Sequence, residues 1–166
     1  HPPDAPGADG GGPPMKALTI WQPWAALVMQ GVKHFETRSW PTNHRGPLAI
    51  HAGQSRDRAD LVYNPVMWRY FRAPDHVSVA PLTFSAILGI VELVDCFEVQ
   101  PATRDQPPRL STTTDPRRDI WLREEEGPLG DFTPGRFAWA LRVLEVFEHP
   151  IPTRGRQGLW EWTPPC

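Results

Sequence analysis

MKALTIWQPWAALVMQGVKHFETRSWPTNHRGPLAIHA, residues 15–52, is the stretch that decides the fold. Its opening, MKALTI, predicts a short strand, and WQPWAALVMQG predicts a helix with Pro23 in its first turn and Gly31 as its terminator. The next segment, VKHFETRSW, lacks helical spacing and runs into Pro41, which predicts a second strand. PTNHRGP then predicts a turn and PLAIHA a third strand. The stretch therefore predicts a β-α-β-β unit.

Further strands and loops are predicted downstream of this unit. Pro65 divides residues 55–72 into two short helices, and the second carries an apolar stripe of Val66, Met67, Tyr70 and Phe71. Residues 100–134 are polar and rich in proline, so we expect a partly flexible excursion there. The predicted strands are residues 83–99, 135–151 and 158–162. These elements sum to an α+β, β-rich fold, a small and mostly antiparallel barrel with short helices over its ends.

The length and composition are those of one ordinary globular domain. The chain has 166 residues, of which 40% are apolar and 22% are charged, so a wholly disordered chain and a membrane protein are both excluded. The longest nearly apolar run, residues 84–94, is far shorter than the roughly 20 residues of a membrane-spanning helix. Residues 1–14 lack large apolar side chains and predict a disordered leader. The predicted domain covers residues 15–166.

The contents of charged residues, cysteine and histidine exclude several kinds of binding site. The chain sets 17 Lys and Arg against 19 Asp and Glu, a net charge of -2, which excludes binding of nucleic acid through a general basic excess. Any nucleic-acid site must therefore be local. Cys96 and Cys166 form neither a disulfide framework nor a zinc motif, and the six histidines lack metal-ligand spacing. Since no signal peptide opens the chain, we expect a cytoplasmic protein. We also expect a monomer without a metal or a cofactor.

A polar run with flanking tryptophans marks the second predicted strand. In a regular strand, one face carries His34, Glu36, Arg38 and Trp40, and the other carries Lys33, Phe35 and Thr37. If the first face points into the barrel, Glu36 and Arg38 need each other or a ligand, because buried charges are costly unless paired. The alternative is the solvated face of an edge strand that carries a weak surface ion pair.

The chain has eight tryptophans, and those near the polar strand are Trp21, Trp24, Trp40 and Trp68. Indole rings stack on nucleobases, each stack contributing roughly 1–3 kcal/mol. Tryptophan is also a common packing residue, and we assign Trp121 and Trp139 to packing.

Histidine and arginine at two loops add candidates for binding. His51 ends the third strand, where it is either an acid, base or donor near neutral pH or a structural residue. Arg154 and Arg156 flank Gly155 on a turn, which either meets phosphates with its guanidinium groups and backbone N–H groups or is an ordinary solvated turn. We read the charged run 123–126 as a solvated helix face.

The run from Leu18 to Ala52 resembles the ASCH (activating signal cointegrator homology) domain family. The residues that carry the resemblance are Gln22-Pro23-Trp24, Gly31, Lys33, Glu36, Arg38, Trp40 and Arg45-Gly46. It continues in SAILGIVELVDCF and in residues 137–162. The resemblance implies a PUA-like β-barrel of about five to six strands. It also implies a cleft beside the first helix, lined by Trp24, Lys33, Glu36 and Arg38.

This resemblance implies binding of RNA or a modified nucleotide, because related domains bind RNA or modified bases. The binding residues that we predict are Trp24, Lys33, Arg38, Trp40, Arg45, His51, Arg154 and Arg156. The family also contains ribonucleases and an N4-acetylcytidine deacetylase branch, so a metal-independent hydrolase with Lys33 and Glu36 as its proton-transfer pair is the alternative. That branch has a threonine where this chain has Glu36. A protein-interaction module is a further alternative.

Overall fold

The structure is a computed structural model and describes residues 11–65, 82–112 and 114–165. Its strands are β1 (Met15–Ile20), β2 (Phe35–Arg38), β3 (Gly46–Ala52), β4 (Ala86–Gln100), β5 (Arg109–Ser111), β6 (Ile120–Trp121), β7 (Phe137–Pro152) and β8 (Leu159–Trp162). Its helices are α1 (Trp24–Met29) and three 3-10 helices, at Ala59–Tyr63, Pro116–Arg118 and Gly127–Leu129. The described residues thus form a strand-rich domain.

All the described strands belong to one mixed sheet. Six of them follow the order β2-β7-β4-β3-β1-β8, while β5 pairs with one end of β4 and β6 pairs with β5. Strands β1 and β3 run parallel, and the other neighbouring pairs are antiparallel. The long strands β4 and β7 pair along most of their length with three shifts in register. Such irregularities bend a sheet, because extra residues on one strand break the regular ladder.

Helix α1 packs on the sheet at one of these bends. A Cβ atom placed on Gly89 of β4 would lie 2.2 Å from the carbonyl oxygen of Glu145 and 2.5 Å from Cε of Met29. Only glycine therefore allows α1 and β7 to approach β4 so closely. Around this contact the main core cluster gathers residues from α1 and the central strands, among them Leu18, Val28, Leu48, Leu93 and Trp139.

The β-rich α+β class predicted from the sequence is confirmed. The described strands number eight rather than five to six, because the excursion at 100–134 contributes β5 and β6. The sheet is not closed, since the two end strands of its path, β2 and β8, do not pair with each other. Strand β2 is also shorter than predicted, and Lys33 and His34 lie in the loop that precedes it.

Several predictions fall on residues outside the described ranges. These are the second short helix with its apolar stripe, Trp68, Cys166 and residues 1–10 of the predicted leader. Of the described leader residues, Gly12 donates its backbone N–H to the carbonyl of Pro164 at 3.1 Å. In the described ranges, every helix is too short or too polar to cross a lipid bilayer.

Candidate nucleic-acid interface

A large cavity lies where the ends of β1 and β3 meet the turn that follows β7. We call it the basic cavity. It has a volume of about 830 Å3 and is lined by Thr19, Trp21, His51, Gly53, Gln54, Ser55, Ser85, Pro152, Thr153, Arg154, Gly155, Arg156 and Gln157. Two of these described lining residues are arginines and none is an aspartate or a glutamate. The cavity therefore favours an anionic ligand.

His51 ties the turn after β7 to the sheet. Its side chain is buried, its Nε2 lies 2.6 Å from the carbonyl oxygen of Thr153, and its Nδ1 lies 3.1 Å from Oγ1 of Thr19. A carbonyl only accepts, so Nε2 carries the hydrogen and Nδ1 faces the threonine hydroxyl. Burial lowers the pKa of His51, and the hydrogen bond to Thr153 opposes this only in part. His51 is therefore a neutral structural link at pH 7.

Gly155 lets the turn rest directly on this histidine. A Cβ atom on Gly155 would lie 2.5 Å from Cε1 of His51 and 2.9 Å from Oγ1 of Thr19. The same threonine hydroxyl accepts the indole N–H of Trp160 at 3.2 Å and lies 3.2 Å from the carbonyl oxygen of Arg156. The turn that carries the two arginines is thus held by contacts at both of its ends.

Trp21 supplies an aromatic wall to the basic cavity. Its side chain is 47% exposed, which is unusual for so large an apolar group. The indole approaches the backbone closely at Gly53, where an added Cβ would lie 3.3 Å from Cδ1 of Trp21. An accessible indole beside two guanidinium groups is the combination that single-stranded nucleic-acid sites use.

A second, smaller cavity lies beside α1, and we call it the Lys33 cavity. It has a volume of about 350 Å3 and is lined by Trp24, Lys33, Glu36, Thr37, Pro128, Leu129, Gly130 and Asp131. The buried Nζ of Lys33 donates to the carbonyl of Leu129 at 2.6 Å and lies 4.0 Å from Oε1 of Glu36. Burial lowers the pKa of Lys33, while the charges of Glu36 and Glu126 act in the opposite direction.

A chain of polar contacts joins the two cavities. Oε1 of Glu36 accepts the backbone N–H of Thr37 at 3.0 Å. Oε2 of Glu36 lies 3.4 Å from Nη2 of Arg38. The same Nη2 donates to the carbonyl of Thr19 at 2.7 Å. Because Thr19 lines the basic cavity and contacts His51, this network of polar contacts runs from Lys33 to the histidine.

The predicted placement of Lys33 on the strand face opposite Glu36 is wrong. Lys33 precedes β2, so strand alternation does not apply to it, and its amine reaches Glu36. Strand β2 pairs only with β7 among the described strands, and Thr37 accepts the backbone N–H of Asp131 at 3.0 Å on its Oγ1. Residues from both faces of β2 therefore line one cavity.

Two predicted binding residues lie apart from both cavities. Trp40 packs edge-on against Trp139, with ring centroids 4.7 Å apart. Arg45 donates to the carbonyls of Thr42 and His44 and lies 3.4 Å from the carboxylate of Asp95. Neither Trp40 nor Arg45 is among the described lining residues of the two cavities. Trp21 was not among the predicted binding residues, although its place in the WQPW motif beside the first strand is a signal in the sequence.

The remaining predicted residues divide between the two cavities. Trp24 and Lys33 line the smaller cavity, His51, Arg154 and Arg156 line the basic cavity, and Arg38 links the two networks. Throughout the described ranges, no three side chains of His, Cys, Asp or Glu gather in a group that could hold a metal ion. Cys96 is a free, half-buried thiol whose pKa is raised by burial. The site chemistry rests on arginine, indole, hydroxyl and amine groups.

The fold and the two cavities define a β-rich α+β domain with a local basic site. Residues 18–146 match the ASCH domain family. The chain belongs to this family, which confirms the resemblance seen in the sequence. Activating signal cointegrator 1 of Homo sapiens is 34% identical over 110 residues, which cover 66% of this chain and 18% of that protein. The protein of the same name from Mus musculus is 36% identical over the same shares. The match thus spans less than a fifth of each relative.

Proposed function

We propose that this domain binds RNA or a modified nucleotide at the basic cavity. The observation that carries the proposal is the lining of that cavity, which combines an exposed indole with two arginines and contains no described carboxylate. In a chain with a net charge of -2, such a local cationic surface is the part that attracts phosphate. Membership of the ASCH domain family supports the same class of ligand.

Each element of the basic cavity has a role in this proposal. Arg154 and Arg156 are exposed, so their guanidinium groups meet phosphate oxygens in charge-assisted hydrogen bonds. Trp21 stacks on a base, a contact that contributes roughly 1–3 kcal/mol. His51 holds the turn and thereby positions the two arginines.

The Lys33 cavity has a different role, because its amine is buried and already bonded to Leu129. Its volume of about 350 Å3 lies at the lower end of the range for small-ligand sites, roughly 300–1,000 Å3. We propose that it takes a single base against Trp24, and that Arg38 orients the wall between the two cavities. In this arrangement Lys33 contacts a bound base rather than a phosphate.

Fluorescence anisotropy with a labelled single-stranded oligoribonucleotide tests the binding proposal. The double variant Arg154→Ala/Arg156→Ala should bind more weakly, and the slope of log affinity against log salt should fall by about 1.4, since each lost phosphate contact on a single strand removes about 0.7. The matched control is Arg104→Ala/Arg117→Ala, which removes the same charge from exposed positions outside both cavities. The control should retain the wild-type slope.

Trp21→Ala tests the stacking contact separately. It should weaken binding roughly tenfold, which corresponds to about 1.4 kcal/mol, without changing the salt slope. If the wild type, both double variants and Trp21→Ala had equal RNA affinities and equal salt slopes, RNA would not bind at the basic cavity.

Hydrolysis is a second candidate, and one observation favours it. The Lys33 cavity brings together an amine whose pKa is lowered by burial, the carboxylate of Glu36 and the hydroxyl of Thr37. A proton-transfer pair of this kind suits removal of an acyl group or cleavage of RNA. Incubation with N4-acetylcytidine and with RNA should then yield product with the wild type and with Glu161→Gln, an exposed control, but not with Glu36→Gln. Equal product from all three proteins would count against catalysis.

A further inference from the structure

A third cavity has a chemistry opposite to that of the basic cavity. It is an open groove of about 860 Å3 between the loop before β2 and the segment that contains β6. Its apolar lining includes Phe35, Ile120 and Trp121, and its acidic lining consists of Asp119, Glu125 and Glu126. We call it the tryptophan groove. It shares no described lining residue with either cavity of the proposed function.

The apolar part of the groove is open to solvent. Trp121 is 53% exposed and Ile120 is 40% exposed, so the predicted packing role of Trp121 is wrong. Phe35 is held in place by edge-on contacts with Phe97 and Phe132, at centroid distances of 6.2 and 6.4 Å. Neighbouring exposed apolar side chains beside a fixed aromatic ring are typical of a binding surface.

Glu126 gives the groove a buried acceptor. Only 4% of this residue is exposed. Its Oε1 accepts both the backbone N–H and Nδ1 of His34, at 2.6 and 2.8 Å. Its Oε2 is buried and has no hydrogen-bond partner among the described residues. Buried carboxylate oxygens without a donor are rare, so Glu126 adds an unpaired, negatively charged acceptor to the wall of the groove.

The charge of the groove decides what kind of ligand fits. Three carboxylates line it against one arginine, Arg123, although Asp119 also lies 3.6 Å from Nε of Arg109. A phosphate backbone is therefore disfavoured here, whereas a cation with an apolar stem is favoured. Arginine meets this requirement better than lysine, because its planar guanidinium stacks on indole and also donates to carboxylates.

From these observations we infer that the tryptophan groove binds an arginine-bearing peptide segment of a partner protein, with the guanidinium against Trp121 and attracted by the carboxylates that line the groove. Apolar side chains next to that arginine then cover Ile120 and Phe35. The inference goes beyond RNA binding, because it uses a different set of lining residues. A domain with both sites holds a nucleic acid and a protein partner at the same time.

Titration of the 15N-labelled protein with the blocked peptide Gly-Leu-Arg-Leu-Gly tests this inference. The control peptide has citrulline in place of arginine, which keeps the shape and removes the charge. We expect the arginine peptide to shift the backbone signals of residues 119–126 and the indole signal of Trp121, and to bind about tenfold more tightly than the citrulline peptide. Shifts confined to other surfaces, equal affinity for both peptides, or no shift at millimolar peptide would overturn the inference.

Two variants locate the contact. Trp121→Ala removes an exposed ring and should abolish most of the peptide binding while leaving RNA affinity unchanged. Glu126→Gln keeps the shape of the side chain and should weaken the arginine peptide more than the citrulline peptide. If Trp121→Ala lost RNA binding and the arginine peptide caused no shifts in the wild type, the groove would be assigned to RNA instead. RNA binding that fails in the wild type while the arginine peptide still binds would leave this inference standing and remove only the proposed function.

Discussion

Gly155→Ala tests the basic cavity by changing its shape without changing its charge. The new methyl group would lie 2.5 Å from Cε1 and 2.7 Å from Nδ1 of His51, whereas ordinary contacts begin near 3.4 Å. His51 is buried and bonded to Thr153 at 2.6 Å, so the ring has little freedom to move. The turn must therefore shift outward by about 1 Å, because close-packed groups transmit such strain.

This shift sets the expected magnitude of the effect. It stretches the hydrogen bond from His51 to Thr153 and the contact of Thr19 with Arg156. Each net hydrogen bond contributes about 0.5–1.5 kcal/mol, so the free energy of unfolding should fall by roughly 1–3 kcal/mol. For a chain of this size, that loss lowers Tm by roughly 2–12 °C. RNA affinity should fall about tenfold, since a displacement of this size takes the arginines out of hydrogen-bond range.

The control for this experiment is Gly127→Ala. A Cβ atom on Gly127 would meet nothing within 4 Å, so the same chemical change there should leave Tm and RNA affinity near the wild-type values. Thermal unfolding and anisotropy measure both quantities on both variants. If Gly155→Ala matched Gly127→Ala in Tm and in RNA affinity, the reasoning from the packed turn would be refuted.

Two further predictions concern buried titratable groups. Because burial lowers the pKa of His51, the unfolded chain binds more protons between that lowered pKa and 6.5, and the free energy of unfolding should fall as pH drops through this window. His51→Gln should lose this part of the pH dependence in urea titrations, and parallel curves for the two proteins would contradict the assignment. Lys33→Met leaves the Leu129 carbonyl without its side-chain donor, while Glu36 keeps its contact with Arg38, so it should cost about 1–3 kcal/mol. Adding Glu36→Gln should cost less than the sum of the single changes, and strict additivity in urea unfolding would show that the two side chains do not interact.

The elements predicted from the sequence with the best boundaries are those with local signals. Strand β1 and strand β3 lie where MKALTI and PLAIHA predicted them, and α1 lies inside the predicted helical segment between Pro23 and Gly31. Alternation, proline and glycine act over a few residues, so the printed sequence contains them in full. Strands β5 and β6 have three and two residues, too few to show a period, and they form because β4 extends far enough to pair with β5.

Residues 119–126 show where local reasoning fails. Trp121 was expected to pack and is largely exposed, whereas Glu126 was expected to be solvated and is buried. A side chain's burial depends on what the fold brings beside it, and here that partner is His34, 92 residues away in sequence. Charge patterns along a helix face cannot reveal such a partner.

The sequence by itself determined the family, the β-rich class and the candidate residues from which a site is built. Only the tertiary structure decided which of these residues lie together. It places two arginines, His51 and Trp21 in one cavity, Lys33 and Glu36 in another, and a set of acidic residues in a third. The physical reason is the range of the interactions. Strand alternation repeats over two residues, whereas Lys33 meets Leu129 across 96 positions and His51 meets Thr153 across 102. Contacts of that separation exist only after the long strands β4 and β7 have paired.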